Sequence, residues 1–373
     1  MPIPAISAIL SLLLALPARE KITDTTIRNV LTAGEGGVHT YRIPAVVLSP
    51  RGHVLVFAEA RKESISDASP TDMVLRRSTD GGLTWLPVQT LVRGVGTDAI
   101  MNPVALTDRR TGRVLLIYCQ TNRKERGEHR RHFLISSKDD GLTWSKPAEM
   151  GSSIRGYDDT FVPGPGCGIQ TSSGRLVVPG YTSEDLPDFK TEKGMHARVI
   201  YSDDGGSSWQ MGAAVDIHSN ESQVVELQDG RLMLNMRQAM GEGCRAVAVS
   251  SNGGAGWGPV RYDRQLNETP CQASILRHSL AAANGKNMLL FANPDNAGQA
   301  FGATDRTRMT VRISFDEGLS WPVKKLIHAG PSSYSGLVRF PDGDVGLVFE
   351  GGEQHRREWI RFARLPLSWL TAQ

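Results

Sequence analysis

Most features that announce a specialised protein class are scarce in this sequence. Its 373 residues hold four cysteines, Cys119, Cys167, Cys244 and Cys271, and none form a C-x-x-C pair, which argues against a zinc or redox motif. They read as buried free thiols, packed like small hydrophobes. Neither sign of charge dominates. Lys and Arg number 42 against 39 Asp and Glu, a net charge of +3, without the basic excess of a nucleic-acid-binding domain. There is no H-E-x-x-H, EF-hand loop or clustered Cys/His set, so no metal and no cofactor are expected. No stretch reads as a long amphipathic helix, no low-complexity linker divides the chain, and no apolar run is long enough to span a bilayer.

Met1 to Ala18 carry no charged side chain. The run Ile9 to Leu16 has the character of a signal-peptide core, with small Ala15 and Ala18 near a cleavage point, although the usual basic start is missing. The expectation is a signal peptide over 1–18, a single domain over 19–373, and a secreted or periplasmic protein. The alternative is a cytoplasmic protein whose first residues form an extension or an edge strand.

What the chain does have is a repeat. The pattern S-x-D-x-G-x-x-W occurs at Ser78–Trp85, Ser137–Trp144, Ser202–Trp209 and Ser314–Trp321, with a worn copy at Ser250–Trp257. Successive tryptophans lie about 48 to 65 residues apart, the length of a propeller blade or slightly more. The Ser, Asp and Gly suit a hairpin turn in which Asp accepts main-chain N–H bonds and Gly takes positive φ. The Trp can tuck beneath it. Short strand-like runs recur between these turns, including Gly52 to Phe57, Val114 to Tyr118, Leu232 to Leu234 and Val345 to Phe349. The pattern predicts an all-β fold, a six-bladed propeller of four-stranded antiparallel sheets. Ile360 to Ala363 is expected to close a blade begun by N-terminal residues. The turn aspartates read as structural.

Tyr41-Arg42-Ile43-Pro44, four good Asp-box turns and the run Glu226 to Arg237, E-L-Q-D-G-R-L-M-L-N-M-R, resemble the sialidases. The resemblance runs from about Gly36 to Phe362 and includes Met101-Asn102-Pro103 and Gly164 to Gln170. It implies a six-bladed propeller that removes terminal sialic acid from sialylated glycans, with the site on the central axis.

Such a substrate carries a carboxylate on its anomeric carbon. Arginine is the suitable partner, because its planar fork pairs with a carboxylate and stays charged. The resemblance assigns Arg42 and Arg237 to this clamp. The third arginine lies within Asp305 to Arg312; its placement favours Arg306, with Arg308 and Arg312 as alternatives. An anionic nucleophile beside the substrate carboxylate would be repelled by about 4 kcal/mol at 4 Å and an effective dielectric of 20. A neutral phenol avoids this, but its pKa near 10 demands a base. The resemblance points to Tyr334 as nucleophile and Glu221 as its base, with Glu226 the competing carboxylate. It makes Asp67 the acid/base residue, nine positions before Arg76, with Asp72 as the alternative. It places Arg61 at the sugar's O4 and gives Glu350 the orienting of Arg42. Tyr181 is expected to touch the glycerol or N-acyl side of the sugar, Met101 and Asn102 to wall the pocket, and Asp185 to Gly194 to form an aglycone rim specific to this chain.

Two other outcomes fit these residues. A trans-sialidase, intermolecular or intramolecular, would share the catalytic set. A non-catalytic sialic-acid-binding propeller would be favoured if Tyr334, Glu221 or Asp67 were missing. A glycosylation sequon at Asn220 beside Glu221, and another at Asn267, imply that the first is inaccessible or that the protein is made where such glycosylation does not occur.

Overall fold

The computed structural model describes residues 27–122, 130–188, 193–238, 242–280, 286–296 and 306–372. The expected leader over 1–18 and residues 189–192 of the expected rim lie outside the described residues.

Strand pairing resolves into six antiparallel groups that follow one another along the chain. The first is Thr40–Leu48, Val54–Arg61, Thr71–Ser78 and Gln89–Val92. The second is Ala99–Asp108, Arg113–Thr121, Arg131–Ser137 and Ala148–Glu149. The third is built on Leu176–Asp188 and Lys193–Ser202, with short pieces at both edges. The fourth runs from Ser222–Glu226 to Arg261–Asn267. The fifth uses Ser274–Ser279, Met288–Pro294, Thr307–Ser314 and the first half of the long strand Val323–Arg339. The second half of that strand opens the sixth group, which continues through Val345–Gly351 and Trp359–Leu365. Ile27–Thr32 then pairs with Trp359–Leu365, so the first described strand completes the last sheet. This is a β-propeller, and the ring closes as the sequence implied.

The central strands are apolar on both faces, as sheets packed on two sides require. In Val54–Arg61 all eight residues are buried. Six apolar clusters lie one at each junction between successive sheets, for example Val30, Val338 and Phe362 against Val46, Val54 and Val56 where the last sheet meets the first.

The repeat turns act as joints. In the first, the Ser78 hydroxyl donates to Asp80 Oδ1 at 2.7 Å and accepts the Gly82 N–H at 2.8 Å. Asp80 also accepts the N–H groups of Leu83 and Thr84 at 3.1 and 3.0 Å. Gly82 has φ +94°, and a Cβ there would stand 2.2 Å from the Phe362 ring of the neighbouring sheet. Only glycine satisfies both the turn and that approach. Trp209 is almost fully buried and donates from its ring N–H to the Gly206 carbonyl at 3.2 Å.

Three strands that face the axis carry the same irregularity. Ile43 and Pro44 stand opposite one residue, as do Asn102 and Pro103, and Ser333 and Tyr334. Each is a β-bulge, which re-aims side chains. Proline brings no N–H to the ladder and is tolerated at such a break. Ile43 and Asn102 take φ +57° and +55°. Their N–H groups, turned out of the ladder, are each taken up by a buried glutamate: Ile43 donates to Glu350 and Asn102 to Glu59, both at 2.9 Å.

Candidate active site

The bulges face a cavity of about 290 Å³. Each buried glutamate that accepts a bulge N–H also fixes an arginine of the cavity wall. Glu350 Oε1 and Oε2 accept from Arg42 Nε and Nη2 at 2.9 and 3.1 Å. Glu59 Oε2 accepts from Arg61 Nε and Nη2 at 3.0 and 2.7 Å. Burial raises the Glu350 pKa, but the charge and hydrogen bonds of Arg42 and the Ile43 N–H lower it further, so it lies below the usual carboxylate range. At Glu59 burial prevails and its pKa is raised.

Tyr334 sits on the third bulge, buried, with its hydroxyl donating to Glu221 Oε1. Glu221 Oε2 accepts from Arg237 Nη1 at 2.5 Å, and the same nitrogen lies 3.4 Å from the tyrosine oxygen. Arg42 and Arg306 place their guanidinium carbons 5.3 and 5.9 Å from the Tyr334 ring centre. Burial and then the Glu221 charge push the phenol well above its ordinary pKa, against the pull of Arg237, Arg306 and Arg42. Tyr334 is therefore a neutral phenol whose hydroxyl donates to the Glu221 carboxylate.

The alternative candidates lie in different places. Arg306 lines the cavity and donates from Nη1 to Ser333 Oγ at 3.1 Å and from Nη2 to the Pro270 carbonyl. Arg308 is exposed at φ +64°. Arg312 is buried against Asp295 and Asn293, away from the cavity. Asp67 lines the cavity, with Oδ1 2.7 Å from Arg61 Nη1 and 4.0 Å from Arg42 Nη1, its side chain 56% exposed. Asp72 instead pairs with Lys62 at 2.7 Å and accepts the Gly94 N–H at 2.9 Å. Glu226 is turned to Ser172, accepting its N–H at 2.8 Å and its hydroxyl at 2.6 Å.

Met101, Asn102 and Tyr181 line the same wall, and burial pushes the Tyr181 phenol up. Asn220 is buried beside Glu221, so the folded chain offers no access to that sequon. Among the described residues no group of three or more His, Cys, Asp or Glu is placed to hold a metal. No helix among them is long and apolar enough to cross a membrane.

Sequence reasoning missed Glu59, although Glu59 and Arg61 are two apart in a strand and so share a face. It also missed Arg130, Arg356 and Arg357, which line the cavity. No local signal marks them, since each arrives on a connection between strands.

The assembly offers a cluster of cations for a carboxylate, a phenol that donates to a carboxylate, and a separate acid on a loop. Residues 52–347 match the BNR repeat-like domain family. A sialidase of Micromonospora viridifaciens is 34% identical over 368 residues, covering 92% of this chain and 54% of that protein. The chain thus spans about half the length of that relative. Human Sialidase-3 is 28% identical, with 87% of this chain and 88% of that protein covered. Among solved structures, the Hadza microbial sialidase Hz136 superposes with a TM-score of 0.81 at 28% identity, covering 92% of this chain and 69% of that one. The chain belongs to the BNR repeat-like domain family.

Proposed function

We propose that this protein is an exo-α-sialidase that hydrolyses terminal sialic acid from sialylated glycans with retention of configuration. The observation that carries the reading is the Tyr334–Glu221 pair set among Arg42, Arg237 and Arg306. In this reading the three arginines hold the substrate carboxylate, with Glu350 fixing Arg42. Arg61 meets O4, and Tyr181, Met101 and Asn102 complete the wall. Glu221 takes the Tyr334 proton as the phenolic oxygen bonds to the anomeric carbon. The glycosidic C–O bond breaks, and Asp67 protonates the departing oxygen. Asp67 then takes a proton from water, which displaces the tyrosine and releases sialic acid, while the phenolate recovers its proton from Glu221. Two inversions give retention, with a tyrosine in the place of the usual carboxylate nucleophile.

We assign residues 19–373 to one propeller domain and 1–18 to a secretory leader, consistent with a secreted or periplasmic enzyme acting on glycoproteins, glycolipids or oligosaccharides. The deciding experiment is hydrolysis of a fluorogenic aryl α-sialoside by the wild type and by Tyr334→Phe. Turnover that the variant loses supports the reading. Saturable sialic-acid binding without turnover replaces it with a binding propeller.

A further inference from the structure

The loop between strands Val345–Gly351 and Trp359–Leu365 brings Arg356 and Arg357 to the cavity wall. That loop is wound about its own acid. Glu358 accepts main-chain N–H bonds from Glu353 and Gln354 at 2.9 Å and from His355 at 2.6 Å. The Gly352 N–H donates to the Pro331 carbonyl at 3.1 Å and anchors the loop's start. Glu358 is thereby committed to the backbone, and among the described residues no carboxylate forms an ion pair with Arg357. The Arg357 Nε is buried without a hydrogen-bond partner. Burial, then the like charges of Arg42 and Arg356, pull the Arg357 pKa down to about 10. The opposing charge that acts on it, Glu350, is already held by Arg42.

A half-buried cation among cations gains from an anion that a ligand brings. The position narrows which part of the ligand that is. Arg42 and Arg61 both contact Asp67, and both are electrostatic neighbours of Arg357. Asp67, in the proposed mechanism, faces the leaving oxygen. With the sialic acid's own carboxylate assigned to Arg42, Arg237 and Arg306, Arg357 is left for an anion on the aglycone side.

We infer that Arg357, with Arg356 beside it, forms a subsite for an acidic group on the aglycone, the carboxylate of a second sialic acid or a sulfate ester on the penultimate sugar. The inference rests on the sialidase reading and adds a substrate class to it: sialic acid linked to a sugar that is itself anionic.

The experiment compares kcat/KM on a neutral aryl α-sialoside, an α2,8-linked disialoside and a sulfated sialyl-oligosaccharide. The quantity read is the preference for each acidic substrate over the neutral one. Because the preference is a ratio within one protein, any loss of folded enzyme cancels. Arg357→Gln is expected to lower it about tenfold for the acidic group the subsite accepts, as loss of one charge-assisted hydrogen bond does. Arg357→Lys is expected to keep most of it, and the acidic substrate affected names the group. A preference within about twofold of wild type in Arg357→Gln, for both acidic substrates, overturns the inference. Wild-type protein inert towards the neutral sialoside removes the sialidase reading and the inference with it, a result distinct from an unchanged ratio.

Discussion

Tyr334 and Glu221, 113 positions apart in the chain, share one proton-bearing contact at the floor of the cavity, and Arg237 holds the far oxygen of that same carboxylate at 2.5 Å. The phenol, the base and a cation thus form a short relay in which Glu221 is oriented from both of its oxygens. In the proposed mechanism a carboxylate held this way removes the tyrosine proton as the phenolic oxygen turns nucleophilic.

Tyr334→Phe and Glu221→Gln are therefore expected to lower kcat on an aryl sialoside by about 10²- to 10⁴-fold, the range for losing a proton-transfer partner. The effect on KM should be far smaller. Steady-state kinetics on both variants checks this; a fall confined to KM contradicts the assigned roles.

The clamp has a structural counterpart. Glu350 is fully buried and takes both arms of Arg42 as well as the Ile43 N–H. Glu350→Ala leaves a buried cation without its partner, which costs about 3–5 kcal/mol. Urea unfolding should show that loss, together with a raised KM for the sialoside.

Arg306 and Arg312 should fail in different ways. Arg306→Ala removes a cavity cation and is expected to raise KM about tenfold or more, with stability changed by roughly 1 kcal/mol. Arg312→Ala takes a charge-assisted hydrogen bond from the buried Asp295, leaving it Lys324 and the Asn267 amide, and should cost about 2–3 kcal/mol of stability. Paired kinetics and denaturation measurements separate the two. Equal effects on KM from both would reopen the choice of the third clamp arginine.

A pH dependence of stability follows from His132. Burial lowers its pKa from 6.5 to about 4, although the Phe161 carbonyl favours the charged ring. The neutral ring fits its site by donating from Nε2 to that carbonyl at 2.6 Å and accepting at Nδ1 from the Tyr157 hydroxyl at 2.8 Å. The unfolded chain binds the proton first, so this contribution is complete above pH 6.5 and is lost as pH falls towards 4. A gap of about 2.5 units corresponds to about 3 kcal/mol. Unfolding free energies between pH 7 and 4 should slope accordingly, and His132→Gln should flatten that slope.

The parts of the molecule that were legible in the sequence are those whose chemistry is local. A Ser-x-Asp-x-Gly turn carries its hydrogen bonds within five residues, as Ser78, Asp80 and Gly82 do. The I-P and N-P pairs mark bulges because proline interrupts a ladder in place. The third clamp arginine was less legible for a specific reason. Arg306, Arg308 and Arg312 have the same parity, so an even strand would point all three one way. Two register shifts around Met309 and the left-handed backbone at Arg308 break that parity. Arg356 and Arg357 were not legible at all. Their meaning depends on Arg42, more than 300 positions earlier, and on Glu358 being occupied by main-chain N–H groups.

The pairing of Ile27–Thr32 with Trp359–Leu365 has a consequence for how the protein comes into being. A ribosome delivers the early strand long before its partner exists. The ring therefore stays open until Trp359–Leu365 has been made, with one sheet short of a strand and its edge bare. Contacts across such a separation form slowly. The Arg42–Glu350 pair spans nearly the same interval, 308 positions. Closure of the ring and the pairing of Arg42 with Glu350 thus come together, and a nascent chain fixes Arg42 in the cavity wall only when its last sheet is sewn shut.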